Sequence, residues 1–357
     1  MDIAIPGLLL IPGLRPFTPP PVVQRSVYNS STHPGTQLIR VLQHNLAYRF
    51  EKTHSQFAFM TRQLMQAINF EPRIRYHIAD KALCEFDENK EPHLPYLRKG
   101  RVIHLHETFL SYVWCITYGL ITLYEEGVAK PDQNRQAGQL VARPNWLWMR
   151  QAKQLLAYAH SLIANFTPWD TRLPNPEKFD FYSEEWIGKI NDVYLYAMTF
   201  ILQHEFSHAQ RQHLFALNAM APHVSEAILD AQQRHYEFEA DRLAVLALRR
   251  GYALRQIDGR PVSSQTASEL GNLVGLCCLL FLNPSVQQSR SHPGTVARID
   301  AFLQLVNPLP TSGLWGVACV ALQAWAQQHG HYLALPPALN TYQDLYQVMA
   351  VAASQLP

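Results

Sequence analysis

The stretch at residues 194–213, YLYAMTFILQHEFSHAQRQH, constrains the fold more than any other part of the chain. It contains the pattern His-Glu-x-x-His, which begins at His204 and is a known signature of zinc proteases. Residues four apart lie on one face of an α-helix, so the imidazoles of His204 and His208 can point at the same ion. Glu205 lies one step around the helix and can reach a water molecule bound to that ion. The stretch therefore predicts a helix with two metal ligands and a catalytic base.

The residues before the pattern predict that this helix is buried. Apolar side chains recur at helical spacing and lead into the two histidines. The stripe consists of Ile190, Val193, Ala197, Ile201, His204 and His208. A single buried histidine would be satisfied by a backbone carbonyl or a carboxylate. Two histidines one turn apart, with a glutamate between them, are harder to explain in that way and favour a metal ion.

A later segment supplies a candidate for the third metal ligand. A catalytic zinc ion is held by three protein ligands and keeps its fourth position for water. Glu237 and Asp241 are four residues apart and share a face of a second predicted helix. We predict that Glu237 is the ligand and that Asp241 accepts a hydrogen bond that fixes the tautomer of a ligand histidine. Glu239 points elsewhere on this helix and is the less suitable choice.

Three segments in this order resemble a known family. They are HEFSH, then EFEAD at residues 237–241, then SHPGTVARI at residues 291–299. The order is similar to the gluzincin pattern of HtpX-type and CAAX-prenyl-protease enzymes. It resembles more closely the Lit-type phage-exclusion peptidase family, whose members combine an HHEISH-like helix, an E-x-E-A-D segment and a T-H-P-x-x-x-x-R-I segment. The resemblance covers residues 101–305, more than half of the chain.

The resemblance implies a role for each matching residue. The implied zinc ligands, catalytic base and orienting acid are His204, His208, Glu237, Glu205 and Asp241. It further implies that His292 lies near the substrate carbonyl, where it can stabilise the oxyanion, and that Arg298 pairs with Glu237 or its surroundings. A His-Pro at the start of a helix followed by an inward arginine is also a common structural element, so both interpretations of His292 and Arg298 stay open.

Composition excludes several classes of protein. With 357 residues, 48% hydrophobic and 16% charged, the chain can bury one large core or two modest ones. The net charge of +2 and the absence of a lysine- or arginine-rich run argue against a nucleic-acid binder. The five cysteines have spacings that suit neither a disulfide framework nor a zinc ribbon. They favour a reducing compartment and a cytoplasmic protein.

The first part of the chain predicts an arm, a helix and strands. Residues 1–23 predict an extended arm lying on the fold, with disorder as the alternative, and residues 37–70 predict one long helix or two helices broken near Thr53. Alternating segments at residues 73–78 and 101–106 predict strands of a small sheet. We predict that residues 101–106 form an edge strand that binds extended substrate by main-chain pairing. His104 and His106 are polar residues of that strand rather than metal ligands.

The remaining segments predict helices around the metal site. Residues 109–124 are apolar all round but shorter than the ~20 residues that span a bilayer, which favours a central buried helix over a membrane span. Residues 144–166 predict a helix, and residues 167–183 an ordered loop near the cleft. The helix that carries Glu237 is predicted to end at residues 249–251. Capping boxes predict helix starts at Thr266 and Thr341.

The predicted fold class is mainly α with a small β-sheet, around a zincin-like (gluzincin) metalloprotease core. We predict three parts: residues 1–98 with the arm, a helical segment and the first strands, residues 99–306 as the catalytic domain, and residues 307–357 as C-terminal helices packed on the core.

The predicted function is that of a zinc-dependent endopeptidase. Glu205 would take a proton from the metal-bound water and deliver it to the leaving amine. The family resemblance implies an intracellular, conditionally activated protease of phage exclusion, with translation elongation factor Tu as substrate and a phage-derived peptide as trigger. One alternative is a membrane-associated housekeeping protease of the HtpX type. Another is a non-catalytic protein whose structural zinc is closed by four protein ligands.

Overall fold

Helices make up most of the part of the chain that the computed structural model describes. The described residues are 71–75, 96–98, 102–140, 143–164, 169–170, 172–176, 181–256, 265–333 and 339–356. The helices are α1 Glu107–Tyr124, a π-helical turn Glu125–Ala129, α2 Lys130–Gln136, α3 Trp146–Ala164, α4 Glu184–Arg211, α5 His213–Met220, α6 Glu226–Gln256, α7 Gln265–Leu280, α8 Thr295–Val306, α9 Gly313–Gln328 and α10 Tyr342–Ser354. The prediction of a mainly helical protein is confirmed. The predicted arm and the helix at residues 37–70 lie outside the described residues.

Three short strands precede the helices. They are β1 Glu71–Arg75, β2 Tyr96–Arg98 and β3 Val102–His106. β3 pairs in parallel with β1 and antiparallel with β2, so it is the middle strand. The prediction of a free edge was wrong for Val102–His104, because β2 pairs with these residues on one side and β1 on the other, which uses the main-chain groups that a substrate would need. These short strands do not establish a zincin-like core, which stays a prediction together with the domain boundaries.

The core lies around α1, as its apolar sequence predicts. Tyr112 and Trp114 on this helix are fully buried. The Tyr112 hydroxyl donates to the Cys278 carbonyl at 2.6 Å, and the Trp114 indole donates to Asn191 Oδ1 at 2.7 Å. These two buried hydrogen bonds tie α1 to α7 and to α4 and satisfy polar atoms that burial would otherwise penalise. They fix the position of the helix that carries the two histidines.

Glycines on α7 allow it to approach α4 closely. A Cβ atom at Gly271 would lie 2.9 Å from the backbone nitrogen of Ala197, and one at Gly275 would lie 2.9 Å from Phe200 Cδ1. Residues without a side chain are therefore required for this close approach. The middle of α4 packs closely against α7, one to two helical turns before His204.

Local signals explain where several helices begin or end. The Thr341 side chain accepts a hydrogen bond from the Asp344 amide, which confirms the predicted capping box at the start of α10. α4 ends at Gln212, which has a left-handed backbone with φ of 56°, and α8 ends at Asn307 with φ of 51°. Thr266 lies inside α7 and not at its start.

The predicted end of α6 was wrong. The helix continues through Gly251 to Gln256. A glycine inside a helix costs only about 1 kcal/mol relative to alanine, which a helix that is already formed can absorb. The signal at residues 249–251 therefore marked a tolerated glycine and not a stop.

The loop at residues 167–183 also differs from its prediction in the part that is described. Trp169 packs against Trp114, with ring centroids 5.6 Å apart. The Pro176 carbonyl accepts from the Asn191 side chain at 2.9 Å. Asn191 precedes His204 by more than three helical turns, so this part of the loop lies about 20 Å along α4 from the histidines rather than near the cleft.

Two further predictions concern membranes and thiols. Within the described residues, no helix has the length and apolar character that crossing a membrane requires. Four cysteines, Cys115, Cys277, Cys278 and Cys319, are buried and free. Burial raises the pKa of the Cys277 thiol well above its usual value, which is typical of an inert core thiol.

Candidate metal centre

Two helices bring three potential ligands together. α4 presents His204 and His208, and α6 crosses it and presents Glu237. His204 Nε2 lies 3.0 Å from His208 Nε2 and 3.4 Å from Glu237 Oε2, and His208 Nε2 lies 3.5 Å from Glu237 Oε1. His204 and Glu237 are buried. These donor atoms lie within 4.8 Å of one another and could hold a metal ion.

Asp241 orients the first histidine. Its Oδ1 lies 2.8 Å from His204 Nδ1. An ionised carboxylate can only accept, so Nδ1 carries a proton and donates to Asp241. Nε2, which faces His208 and Glu237, is the nitrogen that could bind a metal ion once it has lost its own proton. The contact agrees with the predicted place of Asp241 beside a histidine of the pattern, and its role in fixing the tautomer stays a prediction.

Arg298, on α8, places its positive charge between the carboxylates of Asp241 and Glu237. Its Nε and Nη2 donate to the two oxygens of Asp241, each at 2.7 Å. Its Nη1 lies 3.4 Å from Glu237 Oε2. The side chain is buried, and its planar guanidinium matches the carboxylate in a two-point contact. Arg298 therefore contacts both Glu237 and its surroundings, and it carries no exposed group that could touch a substrate directly.

The charges of this network shift the pKa values of its members. Burial favours neutral carboxyls, but the contact with His204 and the charge of Arg298 lower the pKa of Glu237 below its ordinary range. Burial likewise opposes ionisation of Asp241, yet Arg298 and His204 lower its pKa. Although burial disfavours the imidazolium, Asp241 and Glu237 raise the pKa of His204 to about 10. Burial and the neighbouring charge of His204 lower the pKa of His208 to about 3.

Glu205 lies next to this cluster in a different electrostatic environment. Loss of hydration raises its pKa to about 7, with a lowering contribution from His204 and a raising one from Glu237. No hydrogen bond within the described residues ties its carboxylate to Arg298, as one does for Asp241. The environment therefore lowers the pKa of Glu237 and Asp241 and raises the pKa of Glu205.

His292 stands at the mouth of the centre. It precedes α8, its side chain is 57% exposed, and its Nε2 lies 3.9 Å from Glu237 Oε1. A small loop holds it in place, in which the His292 amide donates to Ser289 Oγ at 3.0 Å and the Ser289 amide donates to the His292 carbonyl at 2.9 Å. Its Nδ1 lies 2.7 Å from Ser291 Oγ. The ring is therefore near the potential ligands and open to solvent.

A comparison with known families bears on this arrangement. Residues 103–318, more than half of the chain, match the model of the family described as peptidase U49. The chain belongs to the peptidase U49 family. The resemblance to Lit-type peptidases is confirmed at the level of the family. No curated protein and no solved structure is significantly similar to the chain.

The matched segment contains the whole cluster of this U49 peptidase. α4, α6 and α8 carry its histidines, carboxylates and arginine, and all three helices lie within residues 103–318. Family membership indicates a peptidase, and the cluster is the group of described residues in that segment that could bind a metal ion. The individual roles of these residues stay predictions.

Sequence reasoning missed His213 and the use of Glu239 in this U49 peptidase. His213 Nδ1 lies 3.0 Å from His208 Nδ1, and His213 Nε2 lies 3.4 Å from Glu239 Oε2. His213 follows His208 by five residues, which is not a spacing that places two side chains on one helix face. The left-handed turn at Gln212 redirects the chain into α5 and brings the ring back. A third histidine so close to the pattern was the only sequence signal for it.

Proposed function

We propose that this protein is a zinc-dependent endopeptidase. The observation that carries the proposal is the convergence of His204, His208 and Glu237. Glu205 follows His204 on α4. Membership of a peptidase family supports hydrolysis of peptide bonds. Two histidines and one glutamate form the ligand set of many catalytic zinc sites.

The donor set fits zinc in both size and number. Donor atoms ~2.0–2.1 Å from a tetrahedral zinc ion lie ~3.3–3.4 Å from one another. The two imidazole nitrogens lie 3.0 Å apart, and each lies 3.4 or 3.5 Å from one of the two oxygens of Glu237, which is close to that value. Three protein donors leave one position for water, whereas structural zinc sites are closed by four. The described residues supply three such donors in this group, which favours a catalytic ion over a structural one.

The mechanism assigns a separate task to each residue. When bound, zinc would polarise the scissile carbonyl and lower the pKa of a bound water to ~7. Glu205 takes the proton of the attacking water and passes it to the leaving amine. Its place on α4, one step around the helix from the two histidines, favours this role. Asp241 and Arg298 keep the ligands oriented and do not contact the substrate.

His292 is the proposed donor to the oxyanion. Its exposed ring lies 3.9 Å from the ligand Glu237, so a substrate carbonyl bound at the metal would approach it from the solvent side. A donor at that place stabilises the negative charge that develops on the carbonyl oxygen. Because the ring is exposed and held by hydrogen bonds within its own loop, replacing it should reduce turnover without removing the metal.

The test of the catalytic proposal is the substitution Glu205→Gln. The variant should bind zinc as the wild type does and lose hydrolysis of a protein substrate by a factor of at least 10². Metal content is measured by atomic absorption and cleavage by gel electrophoresis. The matched control is Glu185→Gln, the same change at an exposed carboxylate of the same helix, which should leave activity unchanged. Near-wild-type cleavage by the Glu205 variant would refute the mechanism.

We further propose that the peptidase acts in phage exclusion inside the cell, is activated by a phage-derived peptide and cleaves translation elongation factor Tu. Membership of the U49 family, to which Lit-type peptidases belong, supports this part. The test incubates the purified protein with the elongation factor, with and without phage lysate. Cleavage should require the lysate and be absent in the Glu205→Gln variant. An intact elongation factor under both conditions would exclude this substrate while leaving the peptidase proposal standing.

A further inference from the structure

His213 lies directly behind one of the potential metal ligands. Its Nδ1 is 3.0 Å from Nδ1 of His208, on the opposite side of the His208 ring from the cluster. His213 is buried with 3% exposure and stacks on Tyr236, with ring centroids 4.0 Å apart and planes 2° from parallel. Its place is therefore fixed by α6, although it belongs to α5.

The proton positions follow from the role of His208. A neutral imidazole that binds a metal through Nε2 must carry its proton on Nδ1. His208 Nδ1 then donates, and His213 Nδ1 has to accept. The proton of neutral His213 is consequently on Nε2, which lies 3.4 Å from Glu239 Oε2, a close contact that lacks full hydrogen-bond geometry. The opposite arrangement would put a proton on His208 Nε2, where it would exclude the ion.

We propose that His213 and Glu239 form a positioning relay that holds His208 in the tautomer and orientation required for metal binding. The inference rests on the proposed zinc site and adds residues outside its ligand set. It explains a buried histidine whose Nε2 has a carboxylate as its neighbour and whose Nδ1 meets another imidazole. Partners of this kind raise the basicity of a ligand histidine, and their loss costs ~10–100-fold in metal affinity.

A purely structural role makes a different prediction. Glu239 also lies 3.6 Å from Arg211, and this pair joins the end of α4 to α6. If Glu239 matters only as a clamp between helices, removing Arg211 should have the same effect as removing the carboxylate. If Glu239 matters through His213, the two changes should differ.

The experiment compares the zinc affinity of four variants by chelator competition. His213→Phe keeps an aromatic ring against Tyr236 but removes both nitrogens, and it should weaken zinc binding at least tenfold. His213→Asn retains a side-chain oxygen that can accept from His208, and it should recover part of that loss. Glu239→Gln should weaken binding about threefold to tenfold. Arg211→Gln is the matched control and should stay within twofold of the wild type.

A second measurement reports the ligand geometry itself. In the cobalt-substituted protein, His213→Phe should change the visible absorption spectrum, because the His208 ring is no longer held from behind. Arg211→Gln should leave the spectrum unchanged. Circular dichroism checks that each variant is folded, and Glu239→Gln, at a partly exposed side chain, tests the relay even if His213→Phe does not fold.

The outcomes separate the relay from the proposed function. Equal zinc affinity and an unchanged cobalt spectrum in folded His213→Phe would overturn the relay while leaving the zinc peptidase intact. Equal losses in Glu239→Gln and Arg211→Gln would also overturn it, since they would show a clamp between helices. A wild-type protein that binds neither zinc nor cobalt would overturn both proposals together.

Discussion

The two potential histidine ligands differ in the group that contacts Nδ1, the ring nitrogen that faces away from the cluster. His204 meets a buried carboxylate directly, and that carboxylate is locked by a two-point contact with Arg298. His208 meets a second imidazole, whose carboxylate neighbour Glu239 is one-third exposed. One side of the centre is therefore a buried ion network between α6 and α8. The other side is the series of contacts from His208 through His213 to Glu239, which ends at a partly exposed carboxylate.

The difference shows how position in the fold sets the strength of a support. A buried charge is costly unless it is paired, so Asp241 and Arg298 depend on each other strongly. Glu239 keeps part of its hydration and needs no buried partner. We therefore expect substitutions on the Asp241 side to affect both stability and metal binding, and substitutions on the Glu239 side to affect mainly metal binding.

Arg298→Met should have the largest effect. The change leaves Asp241 and Glu237 as buried carboxylates without their cation, and breaking such a network costs about 3–5 kcal/mol. The free energy of unfolding is measured by urea denaturation in the presence of a chelator. Arg172→Met removes the arginine of an exposed pair and is the control, for which no change is expected. A small loss in the Arg298 variant would remove the contrast between the two sides.

Asp241→Asn should come next. The amide no longer balances Arg298 and no longer fixes the tautomer of His204, so zinc affinity should fall by ~10–100-fold. Chelator competition measures the loss, and Glu239→Gln is the comparison on the opposite side. We expect the Asp241 variant to lose more affinity than the Glu239 variant. The reverse order would mean that the buried network is not the stronger support.

Gly271→Ala should have the smallest effect at the metal centre. The new methyl group would meet the backbone of α4 near Ala197, and overpacking of this kind costs about 1–3 kcal/mol of stability. Because α4 carries both histidines, the two supports should be affected together, and zinc affinity should stay within about threefold. Gly127→Ala, where a Cβ would meet only Met149 Cε at 3.6 Å, is the control for thermal unfolding. A large loss of zinc affinity in the Gly271 variant alone would show that the packing of α4 against α7 matters more for zinc binding than the contacts behind either histidine.

The sequence predicted the potential ligands and Asp241 better than the contacts of His213 and Glu239. His204 and His208, and likewise Glu237 and Asp241, are pairs four residues apart, and helical geometry alone puts each pair on one face. His213 escaped prediction because it follows a left-handed residue that ends α4, and its partner Glu239 was set aside as pointing elsewhere. Glu239 does point away from the ligand cluster, and it is this direction that brings it to His213.

Signals that depend on neighbours were also misread. The glycine at position 251 resembled a helix stop, but α6 continues past it. Residues 101–106 resembled an edge strand, but strand order places β3 between two others. Neither strand order nor the tolerance of a glycine can be read from a local pattern, because both depend on segments far away in the chain.

The sequence by itself determined the ligand types, the helical spacing of each pair and the apolar helices that bury them, because these follow from local periodicity. Only the tertiary structure decided which nitrogens of Arg298 meet each carboxylate, how closely α6 approaches α4 at Glu237, and that His213 returns to the back of His208. These contacts join residues far apart along the chain or across a turn of unusual backbone conformation. They are set by how the helices pack and not by the spacing within any one of them.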